Sequence, residues 1–362
     1  MAASYRSGMP WWAWGWPLAA WAILAVAIAF GLVSVLPIVA GVVMIATVFA
    51  AVYHAEIIAH RVGEPFGTLV LAVAVTVIEV ALIVSIMVAG GPEKAGLPRD
   101  TVFAAVMIIC NGLVGICLLA GGVRHHEQGF QLQGALAALA VLAALMTLTL
   151  VLPNVATSVP GPTFSNAQLA FSGAASLVLY GSFVFVQTVR HRDYFLPPGG
   201  GSEDDHAAGP SDRMAWVSLV LLVASLAAVI GLAKALTPSL EVGLDRLGAP
   251  KAIIGIVIAL LVLMPEGLAA LRAARLNRLQ TSMNLALGSA LASIGLTIPA
   301  VAVVSFFIGQ PLSLGLDSKD TVLLVITLII SIITLGTGRT TVLQGIVHLV
   351  IFAAFLFFAF VP

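Results

Sequence analysis

Hydrophobic residues in this chain do not alternate with polar ones; they run together in long blocks. Apolar blocks lie near 16–34, 37–59, 66–90, 101–122, 131–152, 167–189, 214–235, 251–273, 282–308, 321–337 and 341–361. Crossing about 30 Å of hydrocarbon takes about 20 residues of helix, so the pattern predicts eleven transmembrane helices. Pro37 marks the break between the first two blocks. The one long polar interval, "RHRDYFLPPGGGSEDDHAAGPSDR", separates the sixth block from the seventh. Its Pro, Gly and acidic content reads as a mobile surface connection.

Composition agrees with that reading. Of the 362 residues 60% are hydrophobic and 9% charged, against about 25% charged in an ordinary soluble domain. Sixteen basic and sixteen acidic side chains cannot cover a soluble surface of this size, so the expected class is an all-α polytopic integral membrane protein. A formal net charge of zero gives no reason to expect nucleic acid; lipid, cations and protons are the expected partners. Cys110 and Cys117, seven residues apart in one apolar block, read as small hydrophobes in a helix interface. Trp11, Trp12, Trp14, Trp16 and Trp21 crowd the start of the first block as an interfacial aromatic belt does, which favours a retained span over a cleaved leader.

Basic residues set the expected orientation. With a cytoplasmic N-terminus, ten fall inside (Arg6, Arg61, Arg124, Arg190, Arg192, Arg213, Arg272, Arg275, Arg278, Arg339) and six outside (Lys94, Arg99, Lys234, Arg246, Lys251, Lys319). That bias puts the N-terminus and the acidic linker in the cytoplasm and the C-terminus outside. Setting aside an N-terminal helix within 1–35, the linker at 193–212 divides ten helices into two groups of five, 36–192 and 213–362. An odd number of helices per copy makes the second copy enter the membrane upside down. This is the inverted-repeat plan of many secondary transporters, which bind substrate near the midplane.

Each group carries one acid in its second helix. Glu79 lies in "AVAVTVIEVALIVSIM" and Glu266 in "LVLMPEGLAAL". A charged side chain at mid-membrane costs about 2.5–3.5 kcal/mol on insertion scales, and such residues mark ion and proton pathways. A protonated or hydrogen-bonded structural acid is the simpler account of either one alone; two at corresponding positions favour a shared cation and proton site. Pro265 removes a backbone donor beside Glu266 and Gly267 removes a side chain, which frees a carbonyl one turn back. Carboxylates with loose carbonyl oxygens suit a hard cation such as calcium, which takes about six to eight oxygens. Thr76, Asn111, Ser289, Ser293 and Thr297 form a polar seam expected to lead to the two acids, although Ser and Thr also bond their own carbonyls.

Other candidates lie toward the cytoplasmic ends. In "YHAEIIAHRVGEP", His54, Glu56 and His60 are spaced to line an access funnel, and Glu64 suits a helix N-terminus. "VRHHEQ" lacks the i, i+4 spacing of a ligand pair and reads as a solvated loop. The linker acids Glu203, Asp204 and Asp205 are either calcium sensors or parts of a solvated tether. Arg272, Arg275 and Arg278 read as interfacial anchors. Ser172 in "FSGAAS" and His348 are the pair an intramembrane hydrolase would need, though nothing in the sequence links them. No Gly-rich phosphate loop is present, and neither a cofactor nor an enzymatic reaction is expected.

"HRVGEPFGTLVLAVAVTVIEVALI" and "PEGLAALRAARLNRLQTSMNLALGSALASIGLTIP" resemble the bacterial calcium/proton antiporters of the cation/proton exchanger family, within the calcium/cation antiporter superfamily. The family pattern has Gly-Asn-x-x-Glu in each half. Here the Glu positions are Glu79 and Glu266, and the Gly-Asn positions are Val75-Thr76 and Val262-Leu263. Asn111 fits the family's Asn in the following helix. Gly288-Ser289 fits the start of its Gly-Ser-Ser-x-Gln element, with Ala292 at the Gln position. The resemblance implies a bacterial inner-membrane antiporter that binds cytoplasmic Ca²⁺ at Glu79 and Glu266, releases it outside and returns protonated. A Na⁺ or K⁺/H⁺ antiporter is the alternative on the same scaffold.

Overall fold

A computed structural model of the chain describes residues 9–32, 35–63, 66–197, 210–246, 250 and 252–361. Among these, eleven helical segments are long and apolar enough to span a bilayer, as the block pattern predicts. The helices are α1 (Trp11–Phe30), α2 (Leu36–Val62), α3 (Phe66–Gly90), α4 (Leu97–Met107), α5 (Val114–His125), α6 (Leu132–Met146), α7 (Asn166–Phe185), α8 (Asp212–Arg246), α9 (Ala252–Arg275), α10 (Leu279–Ile308), α11 (Ser318–Leu335) and α12 (Val342–Phe360). α4 and α5 form one span interrupted by a π turn at Ile108–Leu113. The linker acids Glu203, Asp204 and Asp205, together with Glu64, lie outside the described residues.

The chain forms two compact units, one of Met1–Gly90 with Glu203–Ala249, the other of Gly91–Ser202 with Pro250–Pro362. These units do not coincide with the expected halves 36–192 and 213–362; each draws on both. The reason lies in packing that local patterning does not encode: α8 buries Ser218, Leu222, Ser225, Val229, Leu232 and Leu236, and its partners in the first unit are α1, α2 and α3.

Within the first unit, α1 is pinned by hydrogen bonds to its own and its neighbours' backbone. Thr47 Oγ1 donates to the Trp16 carbonyl (3.3 Å) and Trp21 Nε1 to the Ala224 carbonyl (3.1 Å). Gly231 lets α8 approach α1 closely, since a Cβ there would lie 2.5 Å from Leu24 Cδ2. Trp11, Trp14 and Trp21 keep outward faces, as an interfacial belt requires.

The second unit is organised around the span Gly91–His125, where 83% of the residues in an apolar 18-residue stretch are buried, against 22% in Val342–Phe360. α12 packs on α5 and α7 on α10. Small residues make both contacts close: a Cβ on Gly345 would lie 2.6 Å from Leu119 N, and one on Gly295 2.8 Å from Tyr180 Cβ. The loop after α5 pairs antiparallel with the loop before α12 (β1, Gln128–Gly129, with β2, Arg339–Thr340). At the other end of α6, Thr163 bridges Ser313 in the same sense. α7 and α12 both begin with a capping box, Ser165 with Gln168 and Thr341 with Gln344, in which side chains satisfy otherwise orphaned N–H groups.

Candidate functional site

Glu79 belongs to the first unit, on an unbroken stretch of α3. It is 3% exposed, and Val75, Ile78, Leu82 and Ile83 of the same helix are buried with it. Thr76 sits three residues earlier and therefore on the same face. Its Oγ1 is buried and makes no hydrogen bond among the described residues. A carboxyl and a hydroxyl thus share one buried face of a spanning helix.

Glu266 belongs to the second unit and is half-buried on α9. The Ser289 hydroxyl of α10 donates a hydrogen bond to its Oε2. Pro265 lies inside α9, so the carbonyl of Leu261 has no i+4 N–H to accept from. Gly267 sits beside the Gly91–His125 span: a Cβ there would lie 3.6 Å from Leu113 Cδ1. Ser293 and Thr297 continue the Ser289 face of α10 at four-residue spacing and are buried.

Asn111 is fully buried in the π turn. Its Nδ2 donates to Thr327 Oγ1 on α11 (2.9 Å), and its Oδ1 faces His348 Nδ1 on α12 (3.3 Å). His348 Nε2 in turn contacts Thr334 Oγ1 (3.1 Å). The seam expected from sequence is therefore two sets of contacts: Ser289 joins Glu266, whereas Asn111 joins Thr327 and His348. The pair expected for a hydrolase is not brought together, because both His348 nitrogens have these other partners and Ser172 Oγ makes no hydrogen bond among the described residues.

The expected access funnel needs correction at His54. At about 100° per residue, His54 points nearly opposite to Glu56, and the structure buries it against α1 with Nε2 2.9 Å from the Ala13 carbonyl. Glu56 is half-buried and His60 exposed. The "VRHHEQ" segment is exposed at Val123, Arg124, His126 and Glu127 and is anchored at its last residue. Gln128 is 3% exposed and donates to the Ala274 carbonyl (3.0 Å) and Asn277 Oδ1 (2.9 Å), while His125 contacts the Arg275 carbonyl (3.0 Å). No group of three or more His, Cys, Asp or Glu placed to hold a metal ion occurs among the described residues. Cys110 and Cys117 are free and buried.

The part that sequence reading missed is the contact of His348 with Asn111 and Thr334. Counting from the two capping boxes, Ser172 and His348 are each seven residues after their N-cap, Ser165 and Thr341. That shared offset is the signal that α7 and α12 present corresponding positions, one with a hydroxyl and one with an imidazole.

Comparison with known proteins places this arrangement. Residues 20–189 and 217–361 match the family described as sodium/calcium exchanger protein. A putative ionic transporter, y4hA, of Sinorhizobium fredii is 50% identical over 98% of this chain and 97% of its own. The sodium-potassium/proton antiporter ChaA of Escherichia coli is 38% identical over 92% of this chain and 93% of its own. The solved structure of native YfkE superposes with a TM-score of 0.73 at 18% identity, covering 96% of this chain and 99% of that one. That last likeness shows a shared fold.

Proposed function

This chain belongs to the sodium/calcium exchanger protein family, and on that premise we propose that it drives cytoplasmic Ca²⁺ outward in exchange for external H⁺, with Glu79 and Glu266 as the carboxylates that hold cation and proton in turn. It is an integral membrane cation/proton antiporter; the proposal concerns the ion, the residues and the orientation. The observation that carries it is the pair of intramembrane acids, one in the second helix of each sequence half, each with a hydroxyl on its own face or in contact with it.

A carboxyl out of water is accommodated either by a proton or by a cation beside it. Proton and cation therefore compete for the same oxygens, and a proton gradient can drive the cation without nucleotide. Two carboxylates match the charge of one divalent ion, and Ser289, Thr76 and freed carbonyl oxygen fit the oxygen-only preference of calcium. Alternating access then exposes the acids first to one side and then to the other.

Packing supports an inverted repeat of 36–192 on 213–362. The contact of α12 with α5 and that of α7 with α10 exchange under such a repeat. So do the β1–β2 pairing and the Thr163–Ser313 bridge, and both fifth helices start with the same kind of cap. The balance of basic residues supports a cytoplasmic N-terminus and linker with an external C-terminus, in a bacterial inner membrane.

A monovalent reading is favoured by one observation, the name of the 38% identical relative, a sodium-potassium/proton antiporter. Everted vesicles carrying a respiration-driven pH gradient separate the two. Calcium is expected to dissipate the gradient at lower concentrations than Na⁺ or K⁺; dissipation by Na⁺ or K⁺ with none by Ca²⁺ would replace calcium as the substrate.

A further inference from the structure

We propose that His348 is a second proton-binding group of the exchanger, loaded from the turn between α11 and α12 and acting on the π turn through Asn111. This rests on the proton-coupled reading above and adds a site to it.

The imidazole is fully buried, about 9 Å along α12 from its first residue at 1.5 Å per residue. An ionisable side chain at such a place is expensive to keep and marks function by default. Its surroundings can hold it with one proton or two. In the neutral ring, Nδ1–H donates to Asn111 Oδ1 and Nε2 accepts from the Thr334 hydroxyl. When a second proton is taken from water at Nε2, an N–H bond forms as the water-borne O–H bond breaks, and the Thr334 hydroxyl only has to turn from donor to acceptor. No heavy atom has to move.

A path to the surface runs along α11. Thr327, Ser331, Thr334 and Thr337 are spaced four, three and three residues apart, so they share one face. Thr327, Ser331 and Thr334 are buried and Thr337 is exposed at the helix end. Thr337 Oγ1 donates to the Arg339 carbonyl (2.6 Å), with the Thr334 carbonyl 3.1 Å away. Ser331 Oγ is buried without a hydrogen bond among the described residues, a polar atom one turn from both threonines that a bridging water satisfies. The matching helix of the first half lacks this ladder: α6 buries Leu139, Leu142, Leu145 and Met146, and α7 has Ser172 where α12 has His348. Packing of the fold therefore does not require the imidazole.

On elements packed against α12, the Gly91–His125 span has Glu93, Lys94, Arg99 and Asp100 near its start and the thiols Cys110 and Cys117 in its middle, and α9 has Glu266 with Arg272 and Arg275 in its last turn. Arg124 and His125 lie at the end of α5. On α11 the ionisable groups are Lys319 and Asp320, at the opposite end from Thr334, where Lys319 Nζ donates to the Phe358 carbonyl. An imidazolium strengthens its bond to Asn111. Asn111 shares its π turn with Leu113, which lies against Gly267 beside Glu266, so the charge is felt next to the acid.

The test is the pH profile of exchange by the full chain in everted vesicles, with whichever cation the wild type transports and with pH varied only on the cytoplasmic face. Wild type is expected to show a titration step that belongs to the histidine. H348Q is expected to lose that step, and T334V to displace it by about half a pH unit or more. A wild-type profile without the step, or an H348Q profile that overlays it, overturns the proposal. Should H348Q not fold, T334V decides in the same way. Failure here leaves wild-type exchange intact, whereas failure of the calcium/proton reading is seen in the wild type itself.

Discussion

α3 and α9 hold the second position in the two halves of the chain, and each has one acid amid hydrocarbon, yet they furnish those acids differently. Glu79 sits in an uninterrupted helix, almost without exposure, with the Thr76 hydroxyl about one turn away on the same face. Glu266 sits between a proline and a glycine, is half-buried, and takes a hydrogen bond from Ser289. α9 interrupts its own backbone ladder beside the acid and meets a hydroxyl from the next helix, whereas α3 keeps its ladder intact and sinks its acid deeper.

The largest expected effect breaks both sides equally. Glu79→Gln and Glu266→Gln should each lower cation-dependent proton flux by about 100-fold or more, because an amide can neither exchange a proton nor neutralise a cation; vesicle assays with matched expression check this. Ser289→Ala should act on the α9 side alone. Losing a hydrogen bond to a charged acceptor costs about 1.5–3 kcal/mol, so the cation concentration for half-maximal rate should rise about tenfold or more, with a smaller change in maximal rate. Pro265→Ala restores a donor for the Leu261 carbonyl, and a rise of about threefold in the same quantity is expected if that carbonyl serves the ion. The smallest effect is expected for Thr76→Val, about twofold, since a buried hydroxyl without a partner is replaced by a group of the same shape. If Thr76→Val were as damaging as Ser289→Ala, the contrast between the two helices would disappear.

The spans and the acids were legible because they are local. Run length alone counts the membrane crossings, and a carboxylate inside such a run stands out wherever the chain folds. Grouping was not legible: α1, α2 and α3 share a compact unit with α8, which depends on which faces meet over long sequence separations. Nor was the burial of His54, which follows from α1 docking its Ala13 carbonyl over the ring. The π turn at Ile108–Leu113 is likewise invisible to a periodicity argument, and it turns Asn111 toward Thr327 and His348. Only the matching capping boxes of α7 and α12 carried a sequence trace of that cluster.

The central claim, that cation and proton compete for the same two carboxylates, is tested most directly by measuring protons released when Ca²⁺ binds the purified protein in detergent, in wild type and in the two Glu→Gln variants. The account predicts proton release on Ca²⁺ addition to wild type, binding that weakens as pH falls, and loss of both in either variant. Ca²⁺ bound without proton release, or bound as tightly by Glu79→Gln or Glu266→Gln as by wild type, would contradict it.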